Sequence, residues 1–304
     1  MKILVTGGAG FIGSHVAEKF IALGHEVVIL DNLSTGAEDN IPPGAVFVEG
    51  DITSSSTVTD LFGRKRFDVV VHHAAQMNVR HSVEQPVFDA QVNILGTLNL
   101  LQEAVHTGVG KFMFASTGGA VYGEQEYFPA DEQHPTNPVS PYGISKLACE
   151  KYLSYYQIQF DLKTVIMRYA NVYGPRQNPH GEAGVVAIFA DKLVRGEPVI
   201  VNGDGLQTRD YVYVGDVVAA NALALEHDSH LTFNVGTGIE TDVVTLYRHL
   251  AQAAGTDLQP KHGPAKAGEQ RRSVISPKWG GKRLGWTPEV TLKEGLDRTF
   301  RSFV

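Results

Sequence analysis

The chain has 304 residues, enough for two domains or one large α/β domain with a sizeable core. It carries 33 Asp and Glu against 26 Lys and Arg, a balance that argues against a nucleic-acid-binding surface and leaves room only for a local basic pocket. A single cysteine, Cys149, can form neither an internal disulfide nor a thiolate cluster, so no metal is expected and a reducing cytoplasm is the default location.

The apolar stretches at residues 3–5 and 20–30 are too short and too interrupted, the second by Gly24, His25 and Glu26, to be a signal peptide or a membrane span. No membrane partner is therefore expected. Residues 2–6 read as a buried strand, followed by glycines and an apolar-periodic helix from about 13 to 23. Gly24 ends that helix, and residues 26–30 form a second strand with Asp31 at its carboxyl end. Strands are expected at 46–49, 67–72, 111–115 and 164–168, with long helices at 87–106 and 141–160. Strands alternating with helices imply a doubly wound parallel sheet of the Rossmann type.

After Tyr169 the pattern changes. Residues 171–184 read as a long Gly/Pro/Asn-rich loop, of a kind that is often functional. The run 211–214 and a helix at 216–227 look like a return to the first domain. The expected division is a Rossmann-type domain at 1–169 with a return segment at about 211–237. Residues 170–210 and 238–304 then form a smaller α/β substrate lobe, and a cleft between lobes is the default ligand site.

The segment Gly7-Gly8-Ala9-Gly10-Phe11-Ile12-Gly13 lies between a strand and a helix. There its glycines permit a tight turn and close approach of backbone N–H groups to a pyrophosphate, with the helix N-terminus adding favourable partial charge. Asp31 suits both adenosine ribose hydroxyls and would repel a 2′-phosphate, which favours NAD over NADP. Asp51 and Ile52 end the third strand, where an adenine edge would lie. Ala74 and Ala75 end the fourth, where small side chains let a cofactor approach the backbone.

Tyr142 and Lys146 share one face at the start of a helix, four residues apart. Such a pair is common on helices; behind a glycine-rich NAD unit it reads as a redox pair. A nearby ammonium and an oxidised nicotinamide both favour phenolate, so the Tyr142 pKa is expected to fall toward working pH. Tyr142 could then take a proton from a substrate hydroxyl. A hydroxyl in Ala115-Ser116-Thr117-Gly118-Gly119 can bridge the same substrate oxygen.

Together these residues resemble those of the extended short-chain dehydrogenase/reductase superfamily, and within it the nucleotide-sugar epimerases of the UDP-glucose (UDP-galactose) 4-epimerase kind. The resemblance runs nearly end to end. Its further markers are Asp31-Asn32-Leu33-Ser34, Gly50-Asp51-Ile52, His73-Ala74-Ala75, Asn93, Val121-Tyr122-Gly123, Ser140-Pro141-Tyr142-Gly143, Arg168-Tyr169-Ala170-Asn171-Val172-Tyr173-Gly174-Pro175 and Arg209-Asp210-Tyr211-Val212.

The resemblance implies that Tyr142 deprotonates the sugar 4-hydroxyl while the C4 hydride passes to tightly held NAD. The 4-keto sugar turns over, and hydride returns to its other face. Tyr142, Lys146, Thr117 and Ser116 are the catalytic candidates. The NAD contacts implied are Gly7, Gly10, Phe11, Ile12, Gly13, Asp31, Asn32, Ser34, Asp51, Ile52, Ala74, Ala75, Gln76, Asn93, Ser116, Tyr142, Lys146 and Tyr169. For the UDP-hexose they are Thr117, Asn171, Gly184, Val185, Val186, Asn202, Arg209, Lys266 and Arg272. A homodimer built on the helices at 87–106 and 141–160 is also implied.

Three positions depart from the pattern. Gly118 stands where many epimerases have the catalytic serine, which moves the hydroxyl role to Thr117 with Ser116 beside it. Lys266-Ala267-Gly268-Glu269 replaces an Arg-x-Gly-Asp phosphate segment, and Arg272 could compensate. Ser273 stands where a bulky residue often narrows the pocket, which leaves room for UDP-N-acetylhexosamines. A 4,6-dehydratase is disfavoured because Gly118-Gly119-Ala120 supplies no acid or base. A UDP-glucuronate 4-epimerase or decarboxylase stays open. Arg80 could face a sugar carboxylate, although a surface or interface role is slightly favoured. A GDP-sugar enzyme and a non-catalytic NAD-sensing protein also stay open.

Overall fold

The short apolar runs of the N-terminal half become strands of one sheet in the computed structural model, which describes residues 1–180, 184–265 and 270–304. The described chain divides into two units. Unit 1 is Met1–Gly123, Thr136–Arg168 and Val218–Phe233; unit 2 is Glu124–Pro135, Tyr169–Val217 and Asn234–Val304.

Unit 1 begins β1 (Lys2–Thr6), α1 (Phe11–Ala22), β2 (Glu26–Asp31), β3 (Val46–Glu49), α2 (Ser55–Arg64) and β4 (Val69–His72). The helices α3 (Val79–Glu84), α4 (Pro86–Ala90) and α5 (Gly96–Thr107) precede β5 (Lys111–Thr117) and the single turn α6 (Gly118–Val121). Next come α7 (Pro141–Phe160) and β6 (Lys163–Tyr169). Ser140 caps α7 by accepting the Gly143 N–H at 3.2 Å, and Pro141 occupies the first turn, where its missing N–H costs nothing.

In unit 2, β7 (Asn171–Tyr173), α8 (Val185–Val194), β8 (Ile200–Asn202) and β9 (Thr208–Tyr213) lead to α9 (Val214–Glu226). The chain rejoins unit 1 along α9 and β10 (Leu231–Val235). It closes with β11 (Glu240–Asp242), α10 (Val243–Ala254), β12 (Lys261–Gly263), β13 (Arg272–Ser273), α11 (Lys278–Leu284) and α12 (Leu292–Arg301).

The large sheet has seven strands in the order β10-β6-β5-β4-β1-β2-β3. The pairs β1–β2, β1–β4, β2–β3 and β4–β5 are parallel. This is the doubly wound Rossmann arrangement. Its order reverses between β1 and β4, so ligands are expected beyond the carboxyl ends of those strands. Leu4, Val28, Val70 and Phe112 are fully buried beneath α2, α5 and α7, as a sheet covered on both faces requires.

Two expectations change. The helix read at 87–106 is interrupted by a π-helical turn at Gln91–Leu95. The Asn93 carbonyl accepts from Thr97 Oγ1 at 2.6 Å and from the Cys149 thiol at 3.1 Å, side-chain bonds that displace the regular ladder. The run at 211–214 does not return to the large sheet. Residues Tyr211–Tyr213 belong to β9, which pairs with β7, β11 and β13 in unit 2, and the return begins only with α9. Unit 2 also gains Glu124–Pro135, and its core includes Phe189, Leu246, Leu250 and Leu296. Among the described residues no helix is long and apolar enough to cross a membrane.

Candidate active site

Gly7 has φ +68, and a Cβ there would sit 2.6 Å from the Ala74 nitrogen; one on Gly13 would sit 2.2 Å from the Gly7 carbonyl oxygen. Only glycine fits either place. Phe11, Ile12 and Gly13 form the first turn of α1, which no side chain caps at Gly10. A bare helix N-terminus beside closely approached backbone is a fit for a pyrophosphate.

Asp31 is buried and accepts the Ala9 N–H at 3.0 Å on one oxygen and the Leu33 N–H at 2.9 Å on the other. Each oxygen keeps a lone pair for a ribose hydroxyl. Asn32 donates to Asp51 at 2.9 Å and accepts the Ser34 N–H at 3.1 Å, joining the ends of β2 and β3. Burial works to raise the Asp51 carboxyl, but bonds from the Thr53 N–H, the Thr53 hydroxyl and Asn32 hold it below its ordinary value. Ile52 is buried.

After β4 the Ala74 N–H donates to Thr6 Oγ1, and Ala75 follows half-buried. Gln76 is clasped by Asn93, N–H to Oδ1 at 3.0 Å and amide to carbonyl at 2.9 Å. Burial, with Lys146 nearby, keeps His72 and His73 neutral and pulls His73 down to about 3.

Lys146 is buried; its ammonium donates to the Ala115 carbonyl at 2.9 Å and lies 4.7 Å from the Phe114 ring centroid. Burial pulls its pKa down to about 8, against the opposing pull of Cys149, Asp89 and Glu150. Tyr142 departs from expectation. Burial and the Asp89 carboxylate push its phenol above the ordinary value, so the chain's own groups do not lower it. Any lowering must come from a bound cation such as an oxidised nicotinamide.

The structure separates the two hydroxyl candidates. Ser116 is buried and donates to Glu150 at 2.6 Å. Glu150 in turn forms a buried bidentate pair with Arg168, at 3.0 Å to Nε and 2.6 Å to the terminal nitrogen, and Arg168 donates to the Tyr122 hydroxyl at 3.0 Å. Thr117 ends β5 half-exposed, with no bond from its hydroxyl to another described residue. Glu150 and Asp89 are the residues sequence reasoning missed. Both had a signal, since Glu150 extends the Tyr142–Lys146 spacing by four and Asp89 lies four before Asn93.

In unit 2, Tyr169 is buried and Asn171 is exposed on β7. Gly184 precedes α8, Val185 is half-buried, and Val186 is 1% exposed in the core. The Val186 side chain therefore cannot meet a substrate, and only its backbone remains available. Asn202 ends β8. Arg209 is half-buried, donates to the Thr208 carbonyl at 2.8 Å, and pairs in register with Ser273. Arg272 is committed elsewhere: it forms a bidentate pair with Glu240 at 2.8 and 2.9 Å, and its guanidinium lies 3.7 Å from the Phe128 ring centroid. Ser273 is 3% exposed, so its small size is taken up by packing and opens no space of its own. Lys266 lies outside the described residues.

A doubly wound sheet, a glycine turn at its switch point and a Tyr–Lys pair on α7 define an NAD-dependent enzyme of the extended short-chain dehydrogenase/reductase type. Residues 3–236 match the NAD dependent epimerase/dehydratase family, and the chain belongs to it. A UDP-glucose 4-epimerase of Mycolicibacterium smegmatis is 43% identical over 309 residues, covering 100% of this chain and 98% of that protein. The crystal structure of a UDP-glucose 4-epimerase of Thermotoga maritima with UDP-glucose is 47% identical, covers 100% of this chain and 98% of its own, and superposes with a TM-score of 0.98. A UDP-glucose 4-epimerase of Thermus thermophilus in complex with NAD is 48% identical, with coverage of 100% and 99% and a TM-score of 0.95.

Proposed function

We propose that the protein interconverts UDP-glucose and UDP-galactose by inverting C4, using NAD as a resident cofactor. What supports this reading is the Tyr142 and Lys146 pair on α7, the half-exposed Thr117 that ends β5, and a following turn of Gly118, Gly119 and Ala120 that offers no further acid or base. Such a site takes and returns a proton at one oxygen and cannot also expel water.

NAD, held by the glycine turn, Asp31 and the loop after β4, supplies the hydride acceptor and donor. Tyr142 accepts the proton of the sugar 4-hydroxyl, keeps it while the 4-keto sugar presents its other face, and gives it back. Thr117 hydrogen-bonds the same oxygen and orients it. Lys146, fixed by the Ala115 carbonyl, would hold the nicotinamide ribose. Asn171, the backbone of Gly184, Val185 and Val186, Asn202 and Arg209 are proposed to hold the UDP portion. Arg272 is left out of this set because Glu240 already holds it. Thr117→Ala is expected to lower kcat by about 10²-fold with NAD retained. An unchanged kcat would remove Thr117 from the site.

A homodimer is part of the same reading. Val83, Val87, Phe88 and Leu95 between α3 and α5 are 46–70% exposed, and Ile144, Tyr155, Ile158 and Phe160 on α7 are 48–74% exposed. Apolar surface on this scale calls for a partner, and a second copy of the chain is proposed to cover it. Light scattering should give twice the chain mass; a monomer mass contradicts this. A cytoplasmic site of action is supported by the lone, buried, reduced Cys149.

A further inference from the structure

Asp89 is wholly buried in α4, and side chains from three segments converge on its carboxylate. One oxygen accepts from Gln76 Nε2 at 2.8 Å and Asn93 Nδ2 at 2.9 Å; the other accepts from Ser145 Oγ at 2.6 Å. Gln76 lies in the loop after β4, Asn93 in the π-helical turn, and Ser145 in α7 between Tyr142 and Lys146. A single carboxylate thus joins the cofactor loop, the helix break and the turn that carries the redox pair.

We propose that Asp89 is a positioning residue for Tyr142 and Lys146, fixing where the first turns of α7 sit and setting the charge that the phenol feels. The inference deepens the epimerase reading and rests on Tyr142 being the base. A reaction that inverts one carbinol centre uses the same phenol as base and then as acid. An oxidised nicotinamide, cationic when bound, would leave an unopposed phenolate that returns its proton poorly. Asp89 offsets that charge, in keeping with its upward push on the phenol. The other groups around the pair are Cys149 and Glu150 from α7 and the neutral His72 and His73 at the end of β4.

Asp89→Asn separates charge from geometry. Its carbonyl oxygen can keep the Gln76 and Asn93 bonds, and its amide can donate to Ser145, whose hydroxyl rotates to accept. With the negative charge gone the phenol deprotonates more easily. The kcat/KM profile for UDP-galactose is therefore expected to move to lower pH by about one unit or more, with KM changed less than about threefold. A merely structural role would leave the profile in place and loosen unit 1 as a whole.

Ser145→Ala keeps the charge and removes one tie. It should leave the pH profile in position and raise amide hydrogen exchange in residues 142–146 by about tenfold. Unchanged exchange in Ser145→Ala, or an unshifted profile in a folded Asp89→Asn protein, overturns the proposal. If the wild-type protein does not epimerise UDP-galactose, the functional reading fails on its own. Exchange at 76–78 and 142–146, which needs no substrate, then decides the positioning role.

Discussion

Replacing Tyr142 by Phe is expected to cut kcat by about 10³-fold or more while the purified protein keeps its NAD. The two halves of this result have separate causes. The Tyr142 hydroxyl has no hydrogen bond to another described residue, and the residue's backbone N–H, bonded to Ser82 Oγ at 3.2 Å, survives the substitution. The helix should therefore stay in place, and with it Lys146 and the cofactor loop. What is lost is the phenol proposed to carry the 4-hydroxyl proton out and back. Stopped turnover with NAD intact would assign that role to Tyr142. Turnover within tenfold of wild type would move the base elsewhere, and loss of NAD would show that the ring packs against the cofactor more than it reacts.

The second large effect falls on stability. Glu150→Ala strands the Arg168 guanidinium in the interior. Burial works against the charged form of Arg168, but Glu150 and the Tyr122 hydroxyl hold its pKa above the ordinary value, so it stays charged. Removing one member of a buried pair costs about 3–5 kcal/mol, which for a protein of this size corresponds to a fall in Tm of roughly 5–15 °C. Ser116 loses its acceptor as well, and the end of β5 that carries Thr117 loses an anchor. A Glu150→Leu, Arg168→Met double variant removes both charges and should recover much of the lost Tm, because a well-packed apolar pair can replace a buried ion pair. A single variant that melts within about 2 °C of wild type would contradict a buried, fully engaged pair.

The parts of the site legible in the sequence are those whose chemistry depends on local spacing. The glycine turn, Asp31 after β2, and Tyr142 with Lys146 one helical turn apart are all set by backbone geometry over a few residues. What escaped depends on contacts made far along the chain. The break at Gln91–Leu95 is produced in part by the Cys149 thiol, 56 residues away from Asn93. The run Tyr211–Tyr213 is apolar enough for either sheet, and only its partners β7, β11 and β13 assign it to unit 2. The choice between Ser116 and Thr117 needed Glu150 to be seen taking the Ser116 hydroxyl. The electrostatics of Tyr142 were expected to favour phenolate because Lys146 was visible and Asp89 was not. The small size of Ser273 suggested open space that packing fills.

Inversion of C4 by one protein with its own NAD entails no net oxidation of the sugar. Purified protein incubated with UDP-galactose, and with no added oxidant or reductant, tests it most directly. Conversion to UDP-glucose, an approach to the same mixture from either sugar, and no accumulation of NADH are expected. Failure to interconvert the two sugars, or stoichiometric NADH production with an oxidised sugar as product, would contradict it.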